Sequence, residues 1–86
     1  MFLVQYKIKN FKSFHSQWEI VREHYPKNCE LVHLLIGVHG EVAISLWKAP
    51  SEKVLHDFHK KYFEKTSDWK ICEVDHYQSE GLKKVG

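Results

Sequence analysis

The spacing of apolar residues along the chain alternates between a period of two and a period of three to four. Residues 2–9 (FLVQYKIK) alternate apolar and polar side chains and are rich in β-formers, which predicts a first strand. From Phe11 to Tyr25 the apolar residues recur at intervals of three and four, which predicts one stripe of a helix. Asn10 is suited to cap this helix, and Pro26 ends it because proline lacks the N–H that a helix needs.

The second part of the chain predicts two more strands, a helix and a final strand. Residues 29–38 and 42–48 form a hairpin around a three-residue turn at 39–41. Ser51 is suited to cap the second helix, and residues 71–77 (ICEVDHY) form the fourth strand. The buried face of that second helix carries apolar residues at helical spacing, namely Val54, Leu55, Phe58 and Tyr62.

This β-α-β-β-α-β order is typical of the α+β class and predicts a ferredoxin-like fold, in which a four-stranded antiparallel sheet carries two helices on one face. We expect a single domain over residues 1–78 and a loose C-terminal tail over 79–86. A chain of 86 residues buries only roughly 60–65% of its unfolded surface, so oligomerisation is a reasonable expectation.

Alternation along each strand predicts which side chains face the helices. The uniformly apolar sets are expected there: Val4, Tyr6, Ile8, Val32, Leu34, Ile36, Val38, Val42, Ile44, Leu46, Cys72 and Val74. The opposite, open face then carries Leu3, Gln5, Lys7, Leu31, His33, Leu35, Ala43, Ser45, Trp47, Ile71, Glu73, Asp75 and Tyr77. A patch this apolar is too large to leave in water, so we expect a second copy to cover it.

Composition narrows the possible partners. Thirteen basic and eleven acidic residues give a formal charge of +2, and the basic residues are scattered, which argues against a nucleic-acid surface. No apolar run approaches the length of a membrane span, and the N-terminus has no signal-peptide pattern. Cys29 and Cys72 lie in no metal or redox spacing, so we expect two reduced thiols in a cytoplasmic protein.

Seven histidines raise the question of a metal site. His56 and His59 are three positions apart and therefore neighbours on a helix surface, where they are candidate ligands for nickel or zinc. A bound metal needs further ligands that the sequence does not reveal. The alternative is an exposed helix flank with no metal at all.

The open face offers candidate chemistry of a second kind. Glu73 and Asp75 are expected opposite Lys7 and Gln5, either as an ion pair at the rim of an interface or as a general base beside an apolar cavity. We expect His33 to lie opposite Trp47. The candidate catalytic residues are His33, Glu73 and His59, with His33 or Glu73 as the proton-transfer group. The candidate ligand-binding residues are Gln5, Lys7, Ser45, Trp47 and Asp75.

Residues 37–59 (GVHGEVAISLWKAPSEKVLHDFH) resemble the dimeric α/β-barrel superfamily, whose members pack two ferredoxin-like sheets face to face. A tryptophan that ends strand three before an apolar helix, as in SLWKAPSEKVLHDFHKKYF, is similar to the antibiotic-biosynthesis-monooxygenase-like group. APSEKVLHDFH and ICEV are similar to small, largely uncharacterised bacterial members, one group of which binds nickel.

The resemblance implies a homodimer joined through the open faces, with a cavity for a small apolar or aromatic ligand or a metal ion. A first alternative is a cofactor-independent monooxygenase or a haem-degrading enzyme. In the haem-degrading case Gln5, Trp47 and His59 (or His56) fill the places of the family's strand-one amide, strand-three tryptophan and helix-two histidine. A second alternative is a non-catalytic protein that binds nickel or zinc. Whether the chain is an enzyme stays open.

Overall fold

The computed structural model describes residues 1–74 and has the expected order of elements. The strands are β1 (Phe2–Ile8), β2 (Glu30–Ile36), β3 (Val42–Lys48) and β4 (Ser67–Glu73), and the helices are α1 (Phe11–Val21) and α2 (Glu52–Tyr62). The sheet has the order β2-β3-β1-β4 with every pair antiparallel. The ferredoxin-like α+β prediction is confirmed. The expected domain boundary at 78 and the tail 79–86 lie outside the described residues.

Both helices begin at the predicted caps. The Asn10 side chain accepts a hydrogen bond from the backbone N–H of Ser13 at 3.0 Å, and Ser51 Oγ accepts one from Val54 at 3.4 Å. Each bond satisfies one of the N–H groups that the first helical turn leaves without a partner. Neither helix of the described chain is long and apolar enough to cross a membrane.

The core lies between the helices and one face of the sheet, and it is dominated by aromatic rings. Its buried members are Phe2, Val4, Tyr6, Phe14, Trp18, Val21, Ala43, Trp47, Leu55, Phe58 and Phe63. For β1 the predicted alternation is confirmed, because Val4 and Tyr6 are buried while Gln5 and Lys7 are exposed.

The prediction for β3 is wrong, since the strand presents its other face to the helices. Ala43, Ser45 and Trp47 are buried there, while Val42 and Ile44 are exposed on the open face. This arrangement agrees with the pairing to β1. Tyr6 lies opposite Ala43 and Val4 opposite Ser45, so the buried residues of the two strands lie side by side on the same face of the sheet. Trp47 is enclosed by ring contacts with Trp18, Tyr25 and Phe58, which an open-face position would forfeit.

A β-bulge in β2 changes the expected register. Leu31 lies opposite Trp47 and His33 lies opposite Leu46. The two partners on β3 are consecutive, so β2 contains one extra residue between Leu31 and His33. Leu31 therefore packs against the core instead of facing outward. The hairpin loop is also longer than predicted, since Gly37 N–H donates to the carbonyl of Val42 at 2.8 Å, and Val38 within the loop is exposed.

The fourth strand begins four residues earlier than predicted. Ser67, Trp69 and Ile71 share the face that carries the buried side of β1, whereas Cys72 pairs with Leu3 on the open face. The predictions for Ile71 and Cys72 were therefore reversed. The expected continuation of the strand to residue 77, including Tyr77, lies outside the described residues.

Gly40 has a positive φ of 68°, and a Cβ placed on it would lie 2.8 Å from the Phe11 ring. We predict that Gly40→Ala lowers the free energy of unfolding by about 1–2 kcal/mol, because an L-residue is strained in the left-handed region. Urea unfolding measures the loss. Asn28→Ala is the matched control, since Asn28 also has a positive φ (66°) but already carries a Cβ. This variant should therefore lose less stability than Gly40→Ala. Equal stability of wild type and Gly40→Ala would contradict the prediction.

Candidate functional site

Four buried side chains form a continuous chain of hydrogen bonds beneath α2. The Tyr6 hydroxyl lies 2.6 Å from His59 Nε2 and 2.8 Å from Ser45 Oγ. Ser45 Oγ also accepts a hydrogen bond from Trp47 Nε1 at 2.8 Å, and His59 Nδ1 lies 2.8 Å from the Leu55 carbonyl. We call these four side chains, Tyr6, Ser45, Trp47 and His59, the buried polar chain.

The direction of every bond follows from its two ends. A backbone carbonyl only accepts, so His59 Nδ1 must carry the proton and donate to Leu55. In the neutral ring Nε2 is then an acceptor, so Tyr6 donates to it and accepts from the Ser45 hydroxyl. Trp47 Nε1 only donates, which completes the series at Ser45. One arrangement of protons therefore satisfies every polar atom.

Burial keeps both titratable members of this chain neutral. All four side chains are at most 3% exposed. Loss of hydration lowers the pKa of His59 to about 4, against 6.5 for an exposed imidazole, and the nearby His56 acts in the same direction. Burial likewise raises the pKa of the Tyr6 phenol. The buried polar chain thus consists of neutral dipoles at physiological pH.

No substrate reaches this chain as it stands, because its atoms are covered by the core rings. Tyr6 contacts Phe14, Trp18 and Phe63, and His59 is stacked against the Tyr6 ring at 5.5 Å. Buried dipoles with all partners satisfied stabilise one packing arrangement over others. The structure therefore brings Ser45, Trp47 and His59 together as predicted site residues, but inside the core and not on the open face.

The proposed metal pair is not assembled for chelation. Both ring nitrogens of His59 are already hydrogen-bonded, so a metal would have to displace Tyr6 or the Leu55 carbonyl. His56 is exposed, with Nδ1 3.7 Å from an Asp57 carboxylate oxygen and its ring 5.1 Å from that of Trp69. Within residues 1–74 no three His, Cys, Asp or Glu side chains lie close enough to hold an ion.

The open face of the sheet is divided into two halves. Cross-strand pairing sets Lys70, Gln5, Ile44 and Leu35 in one row across β4, β1, β3 and β2. The row on the loop side holds Asp68, Lys7 and Val42, and the row on the other side holds Cys72, Leu3, Leu46 and His33. We call Leu35, Val42, Ile44 and Leu46 the apolar half, and Gln5, Lys7, Asp68 and Lys70 the polar half.

A shallow groove of about 290 Å³ runs along β1 and β4, lined by Gln5, Tyr6, Lys7, Asp68, Trp69 and Lys70. Four of these residues form the polar half, and alternation along β1 and β4 places them on the open face. The Asp68 carboxylate is 3.3 Å from the Lys9 ammonium, whereas Lys7 and Lys70 make no ion pair with any described residue. The groove is therefore bordered by two cations that lack a counter-charge in residues 1–74.

The remaining predicted site residues fall in different places. Gln5 and Lys7 lie on the open face as predicted, and so does His33, although opposite Leu46 and not Trp47. Glu73 is exposed at the end of β4, where it pairs with Phe2 and not with Lys7 or Gln5. Asp75 lies outside the described residues.

Sequence reasoning missed three residues that define these sites. Tyr6 was assigned to the core, but its hydroxyl was given no role, and a tyrosine in a buried strand position is the signal for a buried hydrogen bond. Asp68 and Lys70 were missed because the fourth strand was started too late. The alternation of Trp69 and Ile71 with Asp68 and Lys70 already marks a strand there.

Comparison with family models, with curated proteins and with solved structures finds no match to this chain. The resemblance to the dimeric α/β-barrel superfamily therefore stays a prediction, and the fold rests on the geometry described above.

The pKa of His59 predicts a loss of stability in acid. Unfolding restores a pKa of 6.5, so between pH 6.5 and about 4 the unfolded chain binds a proton that the folded chain does not. This equilibrium favours unfolding as the pH falls, and a difference of this size amounts to about 3 kcal/mol at pH 4. Urea unfolding from pH 7 to pH 4 measures the effect. His59→Gln should have a shallower slope, whereas the exposed His39→Gln should keep that of wild type. Identical slopes in all three proteins would contradict the assignment.

Removal of one hydroxyl should disrupt the buried polar chain. Tyr6→Phe leaves His59 Nε2 without a donor and the Ser45 hydroxyl without an acceptor, and we expect about 1–3 kcal/mol lower stability at pH 7. Thermal or urea unfolding measures this loss. Tyr25→Phe is the control, because its hydroxyl makes no hydrogen bond within residues 1–74. A cost for Tyr6→Phe no greater than that for Tyr25→Phe would show that the chain contributes nothing to stability.

Proposed function

We propose that this protein works as a homodimer in which two open sheet faces pack together and enclose a binding space for a small, mostly apolar or aromatic molecule. One observation carries the proposal: three large apolar side chains lie side by side in water on the open face. Leu35 is 61% exposed, Val42 58% and Ile44 36%. Leu35 and Ile44 are a cross-strand pair, and Val42 is on the same face of β3. A contiguous apolar patch of this kind is typical of an interaction surface.

The dimensions of the open face suit a modest dimer interface. Four strands of seven residues span about 19 by 24 Å, a footprint of roughly 450 Å² before side-chain relief is counted. A standard interface buries about 800 Å² on each partner, and transient ones bury less. We therefore expect a dimer that dissociates on dilution.

Symmetry selects how the two faces meet. A two-fold axis that relates two facing sheets lies midway between them and parallel to both. We compare its two extreme orientations, one parallel to the strands and one perpendicular to them. An axis along the strands sets the polar half of one copy on the apolar half of the other, which buries Lys7 and Lys70 against the aliphatic Leu35 and Ile44, where no polar side chain faces them. An axis across the strands sets the polar half against the polar half of the partner and the apolar half against the apolar half of the partner. This is the arrangement that we propose.

No observation on residues 1–74 favours the enzymatic or metal-binding alternatives, since Trp47 and His59 are enclosed in the core. We also propose a cytoplasmic location, which is supported by the two free thiols, Cys29 and Cys72.

The dimer is tested by placing a carboxylate in the apolar half. Wild type should have twice the monomer mass of 10.3 kDa at high protein concentration. Leu35→Glu and Ile44→Glu should remain folded and fall to the monomer mass, because both positions are exposed in the single chain. Sedimentation equilibrium and circular dichroism measure the two properties.

The matched control is Ile20→Glu, which changes an exposed isoleucine (56%) on α1, on the other side of the molecule. This variant should dimerise like wild type. Thiol labelling locates the interface independently: Cys72, exposed on the open face, should react more slowly in wild type than in Leu35→Glu. A monomeric wild type, or a Leu35→Glu protein that keeps the dimer mass, would rule out the proposed interface.

A further inference from the structure

We propose that the molecule bound between the two sheets is a small organic anion, whose carboxylate is held by Lys7 and Lys70 and whose apolar body lies over the apolar half. This inference rests on the proposed dimer and assigns the chemical class of its ligand. Both copies contribute to the site, because the axis across the strands brings the two polar halves together.

The charges of the polar half favour an anionic ligand. The charged residues that line the groove are Lys7, Lys70 and Asp68, and the Asp68 carboxylate is paired with the Lys9 ammonium. Lys7 and Lys70 are diagonal neighbours on the open face, since Lys70 pairs with Gln5 and Lys7 pairs with Asp68. Two ammonium groups so placed, with no ion-pair partner in the described chain, attract a single anionic group from solution.

Dimerisation strengthens this attraction. Facing sheets are about 10 Å apart, so Lys7 and Lys70 of one copy approach those of the other across the interface. Within residues 1–74, Lys48 and Glu30 on the open face lie 4.0 Å from each other at the far end of the sheet and do not offset these charges. An anion bound between the copies removes this repulsion and should therefore tighten the dimer.

The neighbouring groups define the rest of the ligand. Gln5 pairs with Lys70 on one side and Ile44 on the other, so its amide lies where the polar half meets the apolar half. The groove volume of about 290 Å³ in one copy is near the lower end of the range for ligand pockets, roughly 300–1,000 Å³. This arrangement suits an amphipathic acid, with the carboxylate at Lys7 and Lys70 and a ring or short alkyl chain over Ile44 and Leu35.

The test uses 2-naphthoate as the probe and 2-naphthalenemethanol, which has the same ring system without the charge, as its control. Calorimetric and amide-NMR titrations at low salt measure affinity and location. We expect 2-naphthoate to shift the amides of Gln5, Lys7 and Lys70. The double variant Lys7→Gln/Lys70→Gln should bind it roughly tenfold more weakly or worse, the equivalent of about 1.4 kcal/mol. Lys53→Gln/Lys60→Gln, which removes two exposed charges from α2, should bind like wild type.

Dimer affinity gives a second readout. Without ligand, Lys7→Gln/Lys70→Gln should dimerise more tightly than wild type because the repulsion is gone. Added 2-naphthoate should tighten the wild-type dimer and leave that of the variant unchanged.

The outcomes separate this inference from the proposed dimer. A wild type that dimerises but binds 2-naphthoate no better than 2-naphthalenemethanol, or no better than Lys7→Gln/Lys70→Gln does, overturns the anion site and leaves the dimer standing. Equal affinity of the monomeric Leu35→Glu variant overturns a site shared between copies. A wild type that stays monomeric with and without 2-naphthoate overturns both proposals.

Discussion

The hydrogen bonds of the Tyr6 hydroxyl allow β3 to turn a serine and a tryptophan toward the helices, and the composition of the open face follows from that arrangement. The hydroxyl donates to His59 and accepts from Ser45, and Ser45 in turn accepts from Trp47. Without these bonds, burial of a serine and an indole N–H would cost about 1–3 kcal/mol for each group. With them, β3 can bury Trp47 and release its aliphatic set to the open face.

The competition between the two faces of β3 is close on hydrophobicity alone. Val42 and Ile44 stay 58% and 36% exposed on the open face, and burial of each would be worth about 1.5–3 kcal/mol, whereas Leu46 is only 8% exposed in this arrangement. Trp47 buries about 150–250 Å², worth about 4–6 kcal/mol at 25 cal/mol per Å², and adds about 0.5–1.5 kcal/mol for each well-oriented ring pair. Three such ring contacts, with Trp18, Tyr25 and Phe58, tip the balance. The exposed apolar half is therefore a consequence of the aromatic core.

This competition also explains how far the sequence could be interpreted. The order of elements, the caps Asn10 and Ser51 and the faces of β1 depend on local patterns, and all of these were predictable. The bulge before His33 and the buried side of β3 depend on cross-strand pairing and on bonds between residues up to 53 positions apart. A prediction from alternation buries the more apolar set of each strand. It cannot detect that the Tyr6 hydroxyl provides a hydrogen-bond partner for a buried Ser45.

The candidate site was predictable in part for the same reason. Gln5 and Lys7 belong to β1, whose alternation is regular, and their open-face positions were correct. His33 also lies on the open face, but the bulge before it gives it Leu46 as its partner instead of Trp47. Ser45 and Trp47 were placed with them because the wrong face of β3 was chosen. Lys70 was absent because polar residues at the start of β4 resemble a loop until their pairing with β1 is known.

The stacking of Trp18 on Trp47 makes the core optically distinctive. Their ring centroids are 6.2 Å apart with planes inclined by 25°, whereas Trp69, the third tryptophan in the sequence, lies next to His56 and His59. Two indoles at this separation couple their electronic transitions and transfer excitation between them. The Trp18–Trp47 pair therefore contributes to the near-ultraviolet circular dichroism of the protein when α1 is packed on β3. It reports on the packing of that layer without any label.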